Sequence, residues 1–242
     1  MKQFGLIGKT LGHSFSKSYF KDKFRKEHIQ NASYDNFPLK SVEEFKTLIK
    51  NNSFSGINVT IPYKVSVIPL LDELSEEVQS IGAVNTIQFK DDKLIGYNTD
   101  YIGFHNSIKP FLENTMEQAL ILGTGGASKA IVYALEKIGL KCLCVSRSPK
   151  ENQLNYEELN EFVLKHHLLI VNTTPLGTSP NIDECPDIPY QYITENHLLV
   201  DLVYNPAETL FLKKGKEKRA NILNGKSMLV HQAEEAWKIW NS

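Results

Sequence analysis

Short apolar runs rich in β-branched residues alternate along the chain with longer stretches of helical period, from Phe4 to the C-terminus. That alternation predicts parallel βα units rather than a sandwich, and so an α/β class. In the first half the pattern places strands near 4–7, 33–37, 56–59, 83–89 and 94–98, with helices near 16–28, 41–51 and 76–81. In the second half strands near 119–122, 141–146, 168–172, 198–202 and 221–223 alternate with helices that begin near Gly126, Tyr156 and Ala207. The stretch 101–111 reads as a linking helix. The last segment, 227–240, carries Leu229, Ala233, Ala236, Trp237 and Trp240 at helical spacing, so one of its faces must be buried.

Composition narrows the classes. With 242 residues, 41% hydrophobic and 23% charged, the chain is ordinary for a folded globular protein and long enough for two modest domains. A net charge of −1 with scattered basic residues argues against a nucleic-acid partner. The longest apolar runs are strand-sized, well short of the ~20 residues of a membrane helix. Lys2 leads directly into a first core strand with no signal-peptide pattern, and three cysteines without a CxxC fit a reducing compartment, so a cytoplasmic setting is expected. No histidine spacing suggests a metal site.

The chemistry gathers at strand ends. Leu120 to Ser128 is a strand, a glycine turn (Gly123, Gly125, Gly126, Ala127) and a helix start, the context of a dinucleotide fingerprint, although Ser128 stands where the strict pattern has its third glycine. At the end of the next strand Ser146 and Arg147 occupy the place where an NAD enzyme usually carries an acid; a guanidinium there suits a 2′-phosphate and favours NADP. The turn Asn172 to Gly177, with Thr173, follows another strand at the same sheet edge. In the first half Ser14 and Ser16 flank a helix start, where Ser16 alone would read as an N-cap. Lys64 follows the strand end Asn58-Val59-Thr60 and opens what reads as a helix, an unfavourable place for a cation that implies some other gain. Asn85 sits in an apolar strand, and Asp100 after Asn98-Thr99 would ordinarily be a helix cap.

Taken together, Gly12 to Ser16, Asn58 to Lys64, Gly82 to Thr86, Gly96 to Gly103, Gly123 to Ser128, Asp201 to Pro206 and Met228 to Gln232 are seven ordered blocks through which the chain resembles the shikimate dehydrogenase family over essentially its whole length. The resemblance implies an N-terminal α/β substrate-binding and catalytic domain, 1–100 completed by a C-terminal helix at 226–242, and a Rossmann-type NADP-binding domain at 101–225. It implies that Ser14, Ser16 and Tyr204 hold a carboxylate, that Thr60, Asn85 and Gln232 bind ring hydroxyls, and that Lys64 and Asp100 are an acid–base pair. The nicotinamide would lie near Gly225 and Met228. The reaction implied is reversible reduction of 3-dehydroshikimate to shikimate by NADPH, by a monomer or homodimer. Ser146 stands where the family commonly has Asn, Thr178 where it has Met, and Lys150 is the nearest second basic residue. A quinate- or NAD-preferring relative, a folate-dependent dehydrogenase and a ligand sensor that has lost its chemistry are the alternatives; intact Lys64 and Asp100 argue against the last.

Overall fold

The computed structural model describes residues 1–12 and 14–242, so His13 of the first sequence block lies outside the described residues. The chain divides into two compact units, Met1–Gly103 with Leu229–Ser242, and Phe104–Met228.

The first unit contains β1 (Lys2–Gly8), α1 (Phe15–Lys26), β2 (Ala32–Pro38), α2 (Glu44–Lys50), β3 (Phe54–Val59), β4 (Glu73–Leu74), α3 (Glu76–Ile81), β5 (Thr86–Lys90) and β6 (Lys93–Tyr97), and α4 (Asp100–Ile108) leads out of it. Its sheet runs β2-β1-β3-β5-β6-β4. β1 is parallel to β2 and β3, as βα units require, but β5 lies antiparallel to both β3 and β6. The expectation of parallel units throughout therefore fails at β5, and for its pairing with β6 the reason is local. Asp91 and Asp92 form a two-residue turn with φ of 51° and 59°, and a turn that short can only fold its strands back on each other. The two-residue strand β4 is also an addition to the pattern read from sequence.

The second unit contains β7 (Gln118–Leu122), α5 (Gly126–Lys137), β8 (Lys141–Val145), β9 (Gln153–Leu154), α6 (Glu161–His166), β10 (Leu169–Asn172), β11 (Leu198–Asp201), α7 (Leu210–Glu217) and β12 (Asn221–Leu223). Its sheet runs β9-β8-β7-β10-β11-β12 with every pairing parallel. Counted within the unit, that is the order 3-2-1-4-5-6 of a Rossmann sheet, whose direction of winding reverses between β7 and β10. All of β10 and β11 and residues 119–122 of β7 are buried, as a parallel sheet covered on both faces demands. Two helix starts shift from expectation. At Tyr156 there is a single 3₁₀ turn closed by a capping box of Asn155 and Glu158, and α7 begins at Leu210 because Thr209 caps it.

The final helix, α8 (Lys226–Trp240), returns the chain to the first unit. Ala233, Ala236 and Trp240 are buried among Phe4, Leu6, Phe20, Phe24 and Tyr34. The Trp240 ring stacks on Phe4 at 4.9 Å, and its Nε1 donates to the carbonyl of Ile87 at 3.0 Å. Gly56 makes room for that indole, since a Cβ there would collide with its five-membered ring. Beside it, buried Lys23 of α1 pairs with Glu234 of α8 at 2.9 Å, which ties the first and last helices together. Among the described residues no helix is long and apolar enough to cross a membrane.

Candidate active site

Lys64 does not open a helix. It lies in a run of turns after β3, with its carbonyl accepting from Val84 N–H at 2.7 Å and the neighbouring Tyr63 ring buried, its hydroxyl donating to Leu39 O at 2.7 Å. No helix dipole therefore opposes the cation, and its partner is Asp100, whose Oδ2 stands 2.6 Å from Lys64 Nζ with both side chains mostly buried. Nor is Asp100 the helix cap. Asn98 accepts the N–H of Asp100 at 3.0 Å and of Tyr101 at 3.4 Å through Oδ1, while its Nδ2 donates to Ala83 O at 2.9 Å. Asp100 is the first residue of α4, where the helix dipole favours a carboxylate, and its side chain is left for the lysine.

Behind this pair runs a buried polar chain. Tyr34 OH donates to Asn58 Oδ1 at 2.8 Å, Asn58 Nδ2 to Thr86 Oγ1 at 3.1 Å, and Thr86 Oγ1 to Asn85 Oδ1 at 3.1 Å. Asn85 Nδ2 donates to Thr99 Oγ1 at 3.0 Å, and Thr99 Oγ1 to Gln232 Oε1 at 3.4 Å. The backbone N–H of Thr99 also donates to Asn85 Oδ1 at 2.7 Å, so the amide orientation of Asn85 is fixed with its oxygen inward. At the far end Ser16 reaches the Tyr34 hydroxyl, and burial pushes that phenol's pKa well up while the serine opposes the shift. Ser14, not Ser16, is the N-cap of α1, accepting from Lys17 N–H at 3.3 Å; Ser16 stands in the first turn. Thr60 joins the frame through its backbone, whose N–H donates to Ile7 O at 2.9 Å.

In the second unit Gly123 adopts φ +106°, and a Cβ there would lie 2.8 Å from Thr173 Oγ1. Gly125 is the N-cap of α5 and supplies no side-chain cap, and a Cβ on it would meet nothing within 4 Å. The 12-residue α5 thus begins at Gly126 and Ala127 without a side-chain cap and with space beside Gly125, an arrangement that suits an anion. Ser128, the departure from the strict glycine pattern, is buried with its hydroxyl turned back to donate to Gly125 O at 2.6 Å. Thr173 donates to Leu122 O through both N–H (2.9 Å) and Oγ1 (2.8 Å), which locks its turn against the glycine turn across the point where the winding reverses. Ser146 Oγ accepts from Ser148 N–H at 3.2 Å, and the exposed Arg147 lies near enough to Tyr156 to oppose the rise that burial causes in that phenol's pKa. Gly225 donates to Val203 O at 3.2 Å and is pressed against Leu202, whose carbonyl oxygen would collide with a Cβ. Met228 is buried, and Tyr204 follows β11 in this unit. Among the described residues no three His, Cys, Asp or Glu side chains group as a metal site.

Comparison with known proteins decides the family. Residues 6–87 match the shikimate dehydrogenase substrate binding domain. A shikimate dehydrogenase (NADP(+)) of Clostridium botulinum is 39% identical over 98% of this chain and 95% of its own length. The chain belongs to the shikimate dehydrogenase family. Among solved shikimate dehydrogenases, that of Aquifex aeolicus superposes with a TM-score of 0.89 at 38% identity, covering 100% of this chain and 92% of the other. That of Thermus thermophilus, in complex with NADP(H) and shikimate, gives 0.88 at 30% identity, covering 99% and 93%.

Within this shikimate dehydrogenase fold, the structure joins Lys64 to Asp100, and Asn85 to Gln232 through Thr99. Tyr34, Asn58, Thr86 and Thr99, which the sequence reading gave no role, carry the polar chain. The available signal was polarity itself, since Asn58 sits between the buried Ile57 and Val59 of β3, and Thr86 opens β5 just before buried Ile87.

Proposed function

We propose that this chain catalyses the reversible reduction of 3-dehydroshikimate to shikimate with NADPH. The observation that carries the reading is the 2.6 Å pair of Lys64 and Asp100 beside a buried polar chain, in a member of this family. Reducing a ketone to a secondary alcohol takes a hydride and a proton and builds negative charge on the oxygen in between. NADPH, when bound, supplies the hydride. Lys64 and Asp100 supply the rest: the ammonium stabilises the developing charge and the pair delivers the proton, with Asp100 holding the amine in place. Asn85, whose oxygen is committed to Thr99 and Thr86 and one of whose N–H groups is given to Thr99 Oγ1, keeps its second amide N–H for a ring hydroxyl, with Thr60 and Gln232 on the same task. Ser14 and Ser16 at the start of α1 take the carboxylate, with Tyr204.

For NADP, the uncapped start of α5 at Gly123, Gly125, Gly126 and Ala127 suits the pyrophosphate, and Arg147 with Ser146 suits the 2′-phosphate. Thr173, Gly225 and Met228 complete the assignment. In this reading residues 1–100 with 226–242 are the substrate-binding and catalytic domain and 101–225 the NADP-binding domain. The chain acts in the cytoplasm on small molecules, as a monomer or homodimer.

The test mixes purified protein with shikimate and NADP and follows the absorbance of reduced cofactor, with quinate and NAD as comparison arms. Lys64→Ala is expected to lower kcat at least ~100-fold. An unchanged rate removes Lys64 from the chemistry, and preference for quinate or NAD overturns the substrate or cofactor assignment.

A further inference from the structure

Asp201 closes β11 with its side chain wholly buried, and the mechanism above makes no use of it. Its carboxylate accepts from Thr209 Oγ1 at 2.6 Å, from Asn172 Nδ2 at 3.0 Å and from the backbone N–H of Val203 at 3.0 Å. All three donors are neutral. Burial pushes the carboxyl up to about 6 while these hydrogen bonds oppose the shift. A buried charge without a cation is a poor way to gain stability, because apolar residues of similar volume often do as well or better.

What the three bonds do is tie separate elements together. Asn172 ends β10, and its Oδ1 accepts from Thr174 N–H at 3.0 Å and Thr174 Oγ1 at 2.7 Å. It therefore holds the turn whose Thr173 is bonded to Leu122 O, next to Gly123. Val203 accepts from Gly225 N–H at 3.2 Å, and Thr209 caps α7. One carboxylate thus links the turn after β10, the turn after β11 and the backbone under Gly225.

We propose that Asp201 is a positioning residue for the dinucleotide: through Asn172 it fixes the Thr173–Thr174 turn against the Gly123 turn, and through Val203 it fixes the chain on which Gly225 rests. The inference rests on the assignment of this sheet edge to NADP. Being wholly buried, Asp201 acts only through these neighbours.

The test titrates NADP into the full-length chain by calorimetry and measures kinetics and thermal midpoints on the same samples. Asp201→Asn keeps the volume, but its amide N–H groups face donors. It is expected to raise the Kd and KM for NADP at least about tenfold, the scale of one lost charge-assisted hydrogen bond. kcat at saturation should stay within about threefold, because Lys64 and Asp100 lie in the other unit. Thr209→Val, which removes the bond farthest from the glycine turn in this chain of contacts, should lower the thermal midpoint and leave the Kd within about twofold. A folded Asp201→Asn protein with unchanged Kd overturns the proposal. If that variant does not fold, Asn172→Ala cuts the same tie from β10 and is judged by the same criterion. Wild-type protein that fails to bind NADP at all overturns the cofactor assignment, and this inference with it.

Discussion

Asn98 shows how much of the site depends on one amide. Its oxygen caps α4 and its nitrogen satisfies the buried carbonyl of Ala83, which frees Asp100 for Lys64. Replacing it by alanine removes a cap worth ~1 kcal/mol and orphans a carbonyl at ~1–3 kcal/mol. Asn98→Ala should therefore lose about 2–4 kcal/mol in urea unfolding. The sequence alone pointed to Lys64 and Asp100 as the proposed acid–base pair, because a lysine after a strand end and an aspartate after Asn98-Thr99 sat in recognisable blocks. It could not show that they meet, since 36 residues separate them and only the folded sheet brings them to 2.6 Å. Tyr34 stayed invisible for a different reason. A tyrosine in a mixed polar strand has many uses, and only its bond to Asn58 singles this one out.

Strands and helices were the more legible scale, because apolar period survives whatever the tertiary context. The continuous buried runs of β7, β10 and β11 announced a covered parallel sheet. The β5–β6 hairpin escaped notice because Asp91-Asp92 lacks the glycine that usually marks such a turn. The apolar face of α8 was visible and the resemblance assigned it to the first domain, but the individual residues it packs on were not legible. Those partners predict large effects. Trp240→Ala removes a stacked and hydrogen-bonded indole and should cost about 3–5 kcal/mol. Gly56→Ala drives a methyl into the same ring and should cost about 1–3 kcal/mol. Both losses are read from urea midpoints followed by circular dichroism, and a change below ~0.5 kcal/mol in either would contradict the packing described.

At the scale of the whole molecule, stability should depend on acidity through buried groups of the second unit. His167 and His197 are buried, and burial lowers the pKa of both. His197 is satisfied as the neutral ring, with Nε2 on Leu164 O and Nδ1 accepting from Thr194 N–H, so a second ring proton would confront a donor. Depressed histidines contribute stability above their unfolded value of ~6.5 that is lost as pH falls below it. Asp201 acts in the opposite direction. Its carboxyl sits at about 6 in the fold against 3.8 unfolded, so proton uptake across that interval returns stability as pH falls. The urea midpoint should therefore drop between pH 7 and pH 5, and drop more steeply in Asp201→Asn, where the compensating uptake is absent. A midpoint flat over that range would contradict neutral buried histidines. The return of α8 to Phe4 and Phe20 has a temporal consequence. On the ribosome, which adds on the order of 5–20 residues per second, the amino-terminal half emerges first. It can gather the cluster around Phe45 and Ile57 by itself, but it cannot close the one around Phe4 and Phe20 until residues 229–242 have been translated. The Rossmann sheet, encoded in between, is therefore free to mature first, and the half that is made earliest is the one completed last.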